Sequence, residues 1–170
     1  MPSATQLLRQ DHKKVEGLFK KFEQAKGGKA KKRIAENAMS ELEVHTKIEE
    51  EIFYPAVEKA LQDHEMVEEA RHEHQAAKNL IGQLKKMNEE DEPLEETFSE
   101  LTENIEHHVE EEQNEMFPKV EDSEMDLMEL GKRMAERKRE LLAQTGKSRA
   151  RSGARSGRKS KRGRRSKRAA

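Results

Sequence analysis

The sequence predicts an all-α protein: an up-and-down antiparallel four-helix bundle with an internal pseudo-twofold repeat, an extra C-terminal helix and a disordered basic tail. Three observations predict it. Apolar residues recur at steps of three and four through the first two thirds of the chain, the period of a helix. The pattern is interrupted by short turn segments, and short connections join neighbouring helices antiparallel. The chain also repeats itself: residues 45–55 read HTKIEEEIFYP and residues 108–118 read HVEEEQNEMFP. His, the Glu four residues on, an aromatic nine on and Pro ten on all coincide, and Asp11-His12 and Glu73-His74 stand at matching places upstream. Two helix pairs of one design facing each other imply a twofold axis through the bundle.

Ser3 and Gln6 have capping-box spacing, so the first helix starts there. Leu8, His12, Val15, Phe19 and Phe22 form its stripe, and Gly27-Gly28 ends it. The second helix, from about Lys29, carries Ala38, Leu42, His45, Glu49, Ile52 and Ala56, with Pro55 expected to kink or end it near Tyr54. The third, entered near Asp63, carries Val67, Ala70, His74, Ala77, Ile81 and Leu84. Pro93 suits the first position of a fourth helix, whose stripe is Leu94, Phe98, Leu101, Ile105, His108, Glu112 and Met116. A fifth, from Ser123 to about Ala143, shows Leu127, Leu130, Met134 and Leu141 on one face. It packs outside the bundle or pairs with another chain. The domain division is therefore 1–121 for the bundle, 122–146 for the additional helix and 147–170 for the tail.

Composition narrows the chemistry. Charged residues make up 41% and aromatics only 4%, so the core is thin and aliphatic, and a bound metal would add to it. There is no cysteine, which excludes disulfides, zinc–thiolate sites, iron–sulfur clusters and thiol catalysis. His and carboxylate remain as the strong ligands. Nothing resembles a signal peptide or a membrane span, so the expected location is the cytoplasm, with no membrane partner.

The net charge of −1 hides two opposed halves. Residues 1–146 hold all 35 acids against 22 Lys and Arg, a balance of −13, while residues 147–170 hold the other 12 basic residues and no acid. That tail has no large apolar residue, so it cannot bury a core and is expected to be disordered when free. Its charges suit sequence-blind, salt-sensitive contact with nucleic acid, and nucleoid or nuclear association with it. A flexible cationic tail folding back on the acidic body is the competing reading.

The six polar residues His12, His45, Glu49, His74, His108 and Glu112 all fall on apolar stripes. A buried polar group without a partner costs about 1–3 kcal/mol even when neutral. Six of them at one depth need a shared compensator, and a pair of divalent cations serves. Each His-x-x-x-Glu puts both side chains on one helix face, about 6 Å apart along the axis. One such His is most often a hydrogen-bonded core residue, but two copies in register, with two further His in matching positions, outweigh that reading. His64, His72 and His107 fall off the stripes and are expected in solvent, although a face one residue earlier would put His107 and Glu111 in place of His108 and Glu112, which the shared Pro spacing argues against. Of the neighbouring acids, Asp11, Glu50, Glu73 and Glu111, most are expected to be surface charge, with support of the imidazoles the alternative. Tyr54, the only tyrosine, is expected to pack.

The order Asp11-His12, His45 to Glu49 with Tyr54-Pro55, Glu73-His74, and His108 to Glu112 with Phe117-Pro118 resembles the hemerythrin-like family of HHE cation-binding domains, over residues 5 to about 120. The resemblance implies non-haem iron: two ions bridged by an oxo or hydroxo group and carboxylates, with manganese or zinc ranking behind. Oxygen-carrying hemerythrins place a second His one turn beyond the first on helix three and an aspartate on helix four. This chain has Lys78 and Glu112 there, which argues against simple oxygen transport. The expected function is a di-iron protein that binds or senses dioxygen, iron or reactive oxygen and nitrogen species. The alternatives are an enzyme consuming peroxide or nitric oxide at the same centre, and a nucleic-acid-associated protein tethered through its tail. No separate proton-transfer group is visible, so the sequence does not demand turnover.

Overall fold

A computed structural model describes residues 1–160. Its elements are α1 (Ala4–Gln24), α2 (Gly28–Ile48), a first π turn (Glu49–Phe53), α3 (Tyr54–Leu61), α4 (His64–Lys85), α5 (Pro93–Glu111), a second π turn (Glu112–Met116), α6 (Phe117–Glu121) and α7 (Leu127–Ser160). No strand occurs among the described residues. Four rods make the bundle: α1, α2 continued through its π turn into α3, α4, and α5 continued through its π turn into α6. The helix starts are those the sequence marks. Ser3 Oγ accepts from Gln6 N at 3.3 Å while Ser3 N donates to Gln6 Oε1 at 3.0 Å, and Asp63 Oδ1 accepts from Met66 N at 3.2 Å.

Pro55 neither ends nor breaks its helix. A proline lacks the N–H for an i−4 bond, and its ring clashes with the i−4 carbonyl. The chain relieves this with one wide turn ahead of each proline: Tyr54 N–H bonds the Glu49 carbonyl and Phe117 N–H bonds the Glu112 carbonyl, five residues back. The extra residue shifts the buried stripe by one. Phe53 and Val57 are buried where straight α-helical spacing put Ile52 and Ala56, which are only half-buried.

Two apolar clusters result. One holds Val15, Phe19, Phe22, Leu42, Phe98 and Leu101 with their neighbours. The other holds Leu8, Ile48, Phe53, Phe117, Val120 and Met134 with theirs. Along every rod, the polar stripe residues fall between the two.

α7 lies across α1, α2 and the first π turn, outside the bundle, burying Leu130, Met134 and Leu141. Gly131 permits that approach, because a Cβ there would stand 2.5 Å from the Pro2 carbonyl oxygen. Two ion pairs pin the helix: Arg137 Nε to Glu51 Oε2 at 2.6 Å, and Lys138 Nζ to Asp11 Oδ1. The helix starts at Leu127 rather than Ser123 and runs to Ser160, well past the expected end near Ala143. The first part of the tail read as disordered is thus described as helix, and residues 161–170 lie outside the described residues. No described helix is long and apolar enough to cross a membrane.

Candidate metal centre

All six predicted residues, His12, His45, Glu49, His74, His108 and Glu112, are buried and converge between the two apolar clusters. His12, His45, Glu49 and Glu112 offer atoms that all lie within 4.8 Å of one another, as do Glu49, His74 and His108. Glu49 is common to both groups. Across the first, His12 Nε2 is 3.3 Å from Glu112 Oε2 and His45 Nε2 is 3.1 Å from Glu49 Oε1. Across the second, His74 Nε2 is 3.0 Å from Glu49 Oε2 and His108 Nε2 is 3.6 Å from Glu112 Oε2.

Every imidazole turns Nε2 inward and is held from behind at Nδ1. The partners are Gln113 for His12 (3.1 Å), Asp11 for His45 (3.4 Å), Glu50 for His74 (3.1 Å) and Glu73 for His108 (2.9 Å). Under the repeat, Asp11 matches Glu73 and Glu50 matches Gln113, so the support obeys the same pseudo-twofold. Three of the four acids expected to be mostly surface charge therefore orient imidazoles, whereas Glu111 pairs with exposed His107. Gln113 went unnoticed in the sequence, although its position opposite Glu50 in the repeat was a usable signal. His64, His72 and His107 are exposed, as expected.

Whether these residues suit a cation is tested by what they lack. Among the described residues, five buried side-chain N or O atoms have no hydrogen-bond partner, and four of them are His12 Nε2, His45 Nε2, Glu49 Oε1 and Glu112 Oε2. The close His–Glu approaches are thus contacts without hydrogen-bond geometry. His74 Nε2 and His108 Nε2 face each other at 3.1 Å with both Nδ1 atoms on carboxylates. If each Nδ1 carries the hydrogen its carboxylate accepts, two lone pairs oppose each other and call for a cation or proton between them. The donor set, four imidazole nitrogens and two carboxylates, fits a pair of divalent transition-metal ions.

The metal-free charges agree. Burial works against charge on His45, but the Glu49 and Asp11 carboxylates overcome it and hold the imidazolium up to a pKa of about 10. His74, likewise opposed by burial, is raised to about 9 by Glu49 and Glu50. Glu50 is lowered to about 2 by its bond to His74, against partial burial and with help from Lys78. Lys78 Nζ sits 2.7 and 2.8 Å from the two Glu50 oxygens, so the residue one turn beyond His74 supports the centre from outside.

The model of the hemerythrin HHE cation binding domain matches residues 3–120. The chain belongs to that family. Among curated proteins, a hemerythrin-like protein of Schizosaccharomyces pombe is 29% identical over 113 residues, covering 65% of this chain and 56% of its own length. The chain thus spans just over half of that relative. Among solved structures, the hemerythrin HHE cation binding domain-containing protein of Mycobacterium kansasii superposes with a TM-score of 0.74 at 24% identity. It covers 85% of this chain and 90% of its own. At that identity the likeness speaks for the HHE fold.

One residue departs from the expectation. Tyr54, read as a packing residue, puts its hydroxyl inside the centre: 3.1 Å from Glu112 Oε1, 3.3 Å from Glu49 Oε2, 3.1 Å from His74 Nε2 and 3.4 Å from His108 Nε2. Burial, then the Glu112 and Glu49 carboxylates, push the phenol well above its ordinary pKa. Its counterpart in the repeat, Phe117, stacks on His12 with ring centroids 5.9 Å apart. The HHE centre is therefore symmetric in its six polar stripe residues and asymmetric in this one hydroxyl. The cue in the sequence was a Tyr where the second copy has Phe.

Proposed function

We propose that this HHE domain holds two iron ions on His12, His45, His74, His108, Glu49 and Glu112, and binds or senses dioxygen, iron or a reactive oxygen or nitrogen species there. The observation that carries the reading is the set of four buried donor atoms at the centre with no hydrogen-bond partner, His12 Nε2, His45 Nε2, Glu49 Oε1 and Glu112 Oε2. His12 and His45 would hold one ion and His74 and His108 the other, with the two glutamates between them. Iron, when bound, supplies redox chemistry toward dioxygen, peroxide or nitric oxide.

The chain's own part is to hold and to exclude. Asp11, Glu50, Glu73 and Gln113 fix the imidazole orientations. Beside the four His lies a small cavity, closed by Val15, Leu42, Ile105 and Val109, of about 10 Å³, about enough for one water-sized molecule. A space that small excludes an organic substrate.

Tyr54 favours a second reading, consumption of peroxide or nitric oxide. Its hydroxyl is a proton-carrying group at the centre, within hydrogen-bond distance of Glu112 and His74, where the sequence showed none. The +12 tail further supports non-specific attachment to nucleic acid.

The test is iron content and absorption spectrum before and after exposure to air. The expected result is about two irons per chain, by the ligand roles above, with both iron and spectrum lost in His45→Ala with His108→Ala. Full iron retention by the double variant overturns the assignment.

A further inference from the structure

The pseudo-twofold breaks just outside the centre. Asp11, behind His45, has its outer oxygen neutralised by Lys138 from α7, which packs over Val44 and Ile48. The equivalent acid is Glu73, behind His108. Among the described residues no further helix packs there, and the residues equivalent to Val44 and Ile48 are His107 and Glu111. Glu73 Oε1 takes His108 Nδ1 at 2.9 Å, leaving Oε2 to face His107 Nε2 at 3.7 Å, and that nitrogen is 3.1 Å from Glu111 Oε1. The three donor atoms lie within 4.8 Å of one another. Neighbouring ligands of a divalent cation, each bound at about 2.1 Å, lie about 3 Å apart, so small rotations of His107 and Glu111 toward Glu73 complete the arrangement.

A second observation points the same way. Two of the three, Glu73 and Glu111, stand at a narrow cleft that Glu69, Glu115, Met66 and Met116 also line and that His108 and Glu112 reach. Glu112 is 2% exposed, and its Oε2 is one of the buried atoms without a hydrogen-bond partner. The cleft therefore joins two of the outer carboxylates to the buried donors, with Glu69, Glu73, Glu111 and Glu115 along it to draw a cation inward.

We propose that His107, Glu111 and the outer oxygen of Glu73 form an entry site for a divalent cation, Fe(II) by the chemistry of the centre it feeds. The proposal deepens the di-iron reading and rests on it for the loading step. Glu73 joins the two sites, one oxygen holding a ligand imidazole and the other receiving the incoming ion.

The test uses the full chain and His107→Ala with Glu111→Gln, leaving Glu73 in place because it orients His108. Anaerobic Fe(II) is mixed with the metal-free chain and loading is followed in time. Mn(II) is then titrated into the iron-loaded chain, and bound ion is counted by electron paramagnetic resonance. The expected result is one weakly held Mn(II) on the native chain, absent in the variant, and iron loading at least fivefold slower in the variant with the same final iron content. No extra Mn(II) on the native chain, Mn(II) retained by the variant, or an unchanged loading rate overturns the proposal. A native chain that takes up no iron defeats the di-iron reading instead, and the Mn(II) count still decides the outer site.

Discussion

His45 and His74 show how much a few side chains shape the energetics of the metal-free protein. With pKa values raised to about 10 and about 9, both are protonated at neutral pH until a cation displaces those protons. Metal affinity should then rise about tenfold per pH unit for each proton displaced, until pH passes those values. Titrating Zn(II) at pH 6.5 and 8.5 in buffers of different ionisation enthalpy checks this, and uptake without proton release contradicts it. The same shifts govern folding. A group with a raised folded pKa stabilises fully below its unfolded value of 6.5, and that contribution is lost as pH rises through 9 to 10. The melting temperature of the metal-free chain is expected to fall from about pH 6.5 to about pH 10. Tyr54 gives a second prediction at this scale. Tyr54→Phe makes the position match Phe117 and removes one hydroxyl, so stability should change by no more than about 1.5 kcal/mol and iron content should hold. The visible spectrum or the rate with peroxide should change, and a variant identical in both leaves the hydroxyl with packing alone.

At the scale of elements, the two π turns and α7 decide what the helical period could not. Each π turn starts at a glutamate of the centre and precedes an aromatic–proline pair, so the relief of one steric clash also resets which side chains face inward. Without that extra residue, Ile52 and Ala56 would hold the buried places of Phe53 and Val57. α7 depends on Gly131, where a larger side chain would meet Pro2 and Ser3 of the chain ahead of α1. Gly131→Val is expected to lift α7, expose Leu130 and Met134 and cost about 1–3 kcal/mol. Thermal melting and hydrogen exchange in α7 measure it, and an unchanged melting point together with protected α7 amides contradicts the docking described.

For the whole molecule, the governing fact is the separation of charge: −13 on residues 1–146 and +12 on residues 147–170. If the basic end holds nucleic acid, the full chain shifts DNA in a gel at low salt, with affinity falling steeply as salt rises. A chain ending at Gly146 should not shift it, and equal binding by both defeats the tether.

Most of the bundle was legible in the sequence because each rod buries one stripe, and a buried stripe must repeat at the helical period. The six polar residues of the centre were legible for the same reason, since polar groups placed on an apolar stripe are conspicuous. Asp11, Glu50, Glu73 and Gln113 were harder to weigh. In a chain with 35 acids, an acid one position from a stripe looks like any other surface charge until a neighbouring rod brings an imidazole to it. By itself, then, the sequence determined the four rods of the bundle, the Ser3 and Asp63 starts, the repeat and the identity of the inward-facing His and Glu, all of which depend on local spacing. Only the tertiary structure decided the π turns, the hydroxyl of Tyr54 among the ligands, the Lys138 brace on one side and the open acidic cleft on the other. Those depend on which surfaces of distant segments meet, and no local pattern encodes a distance across the bundle.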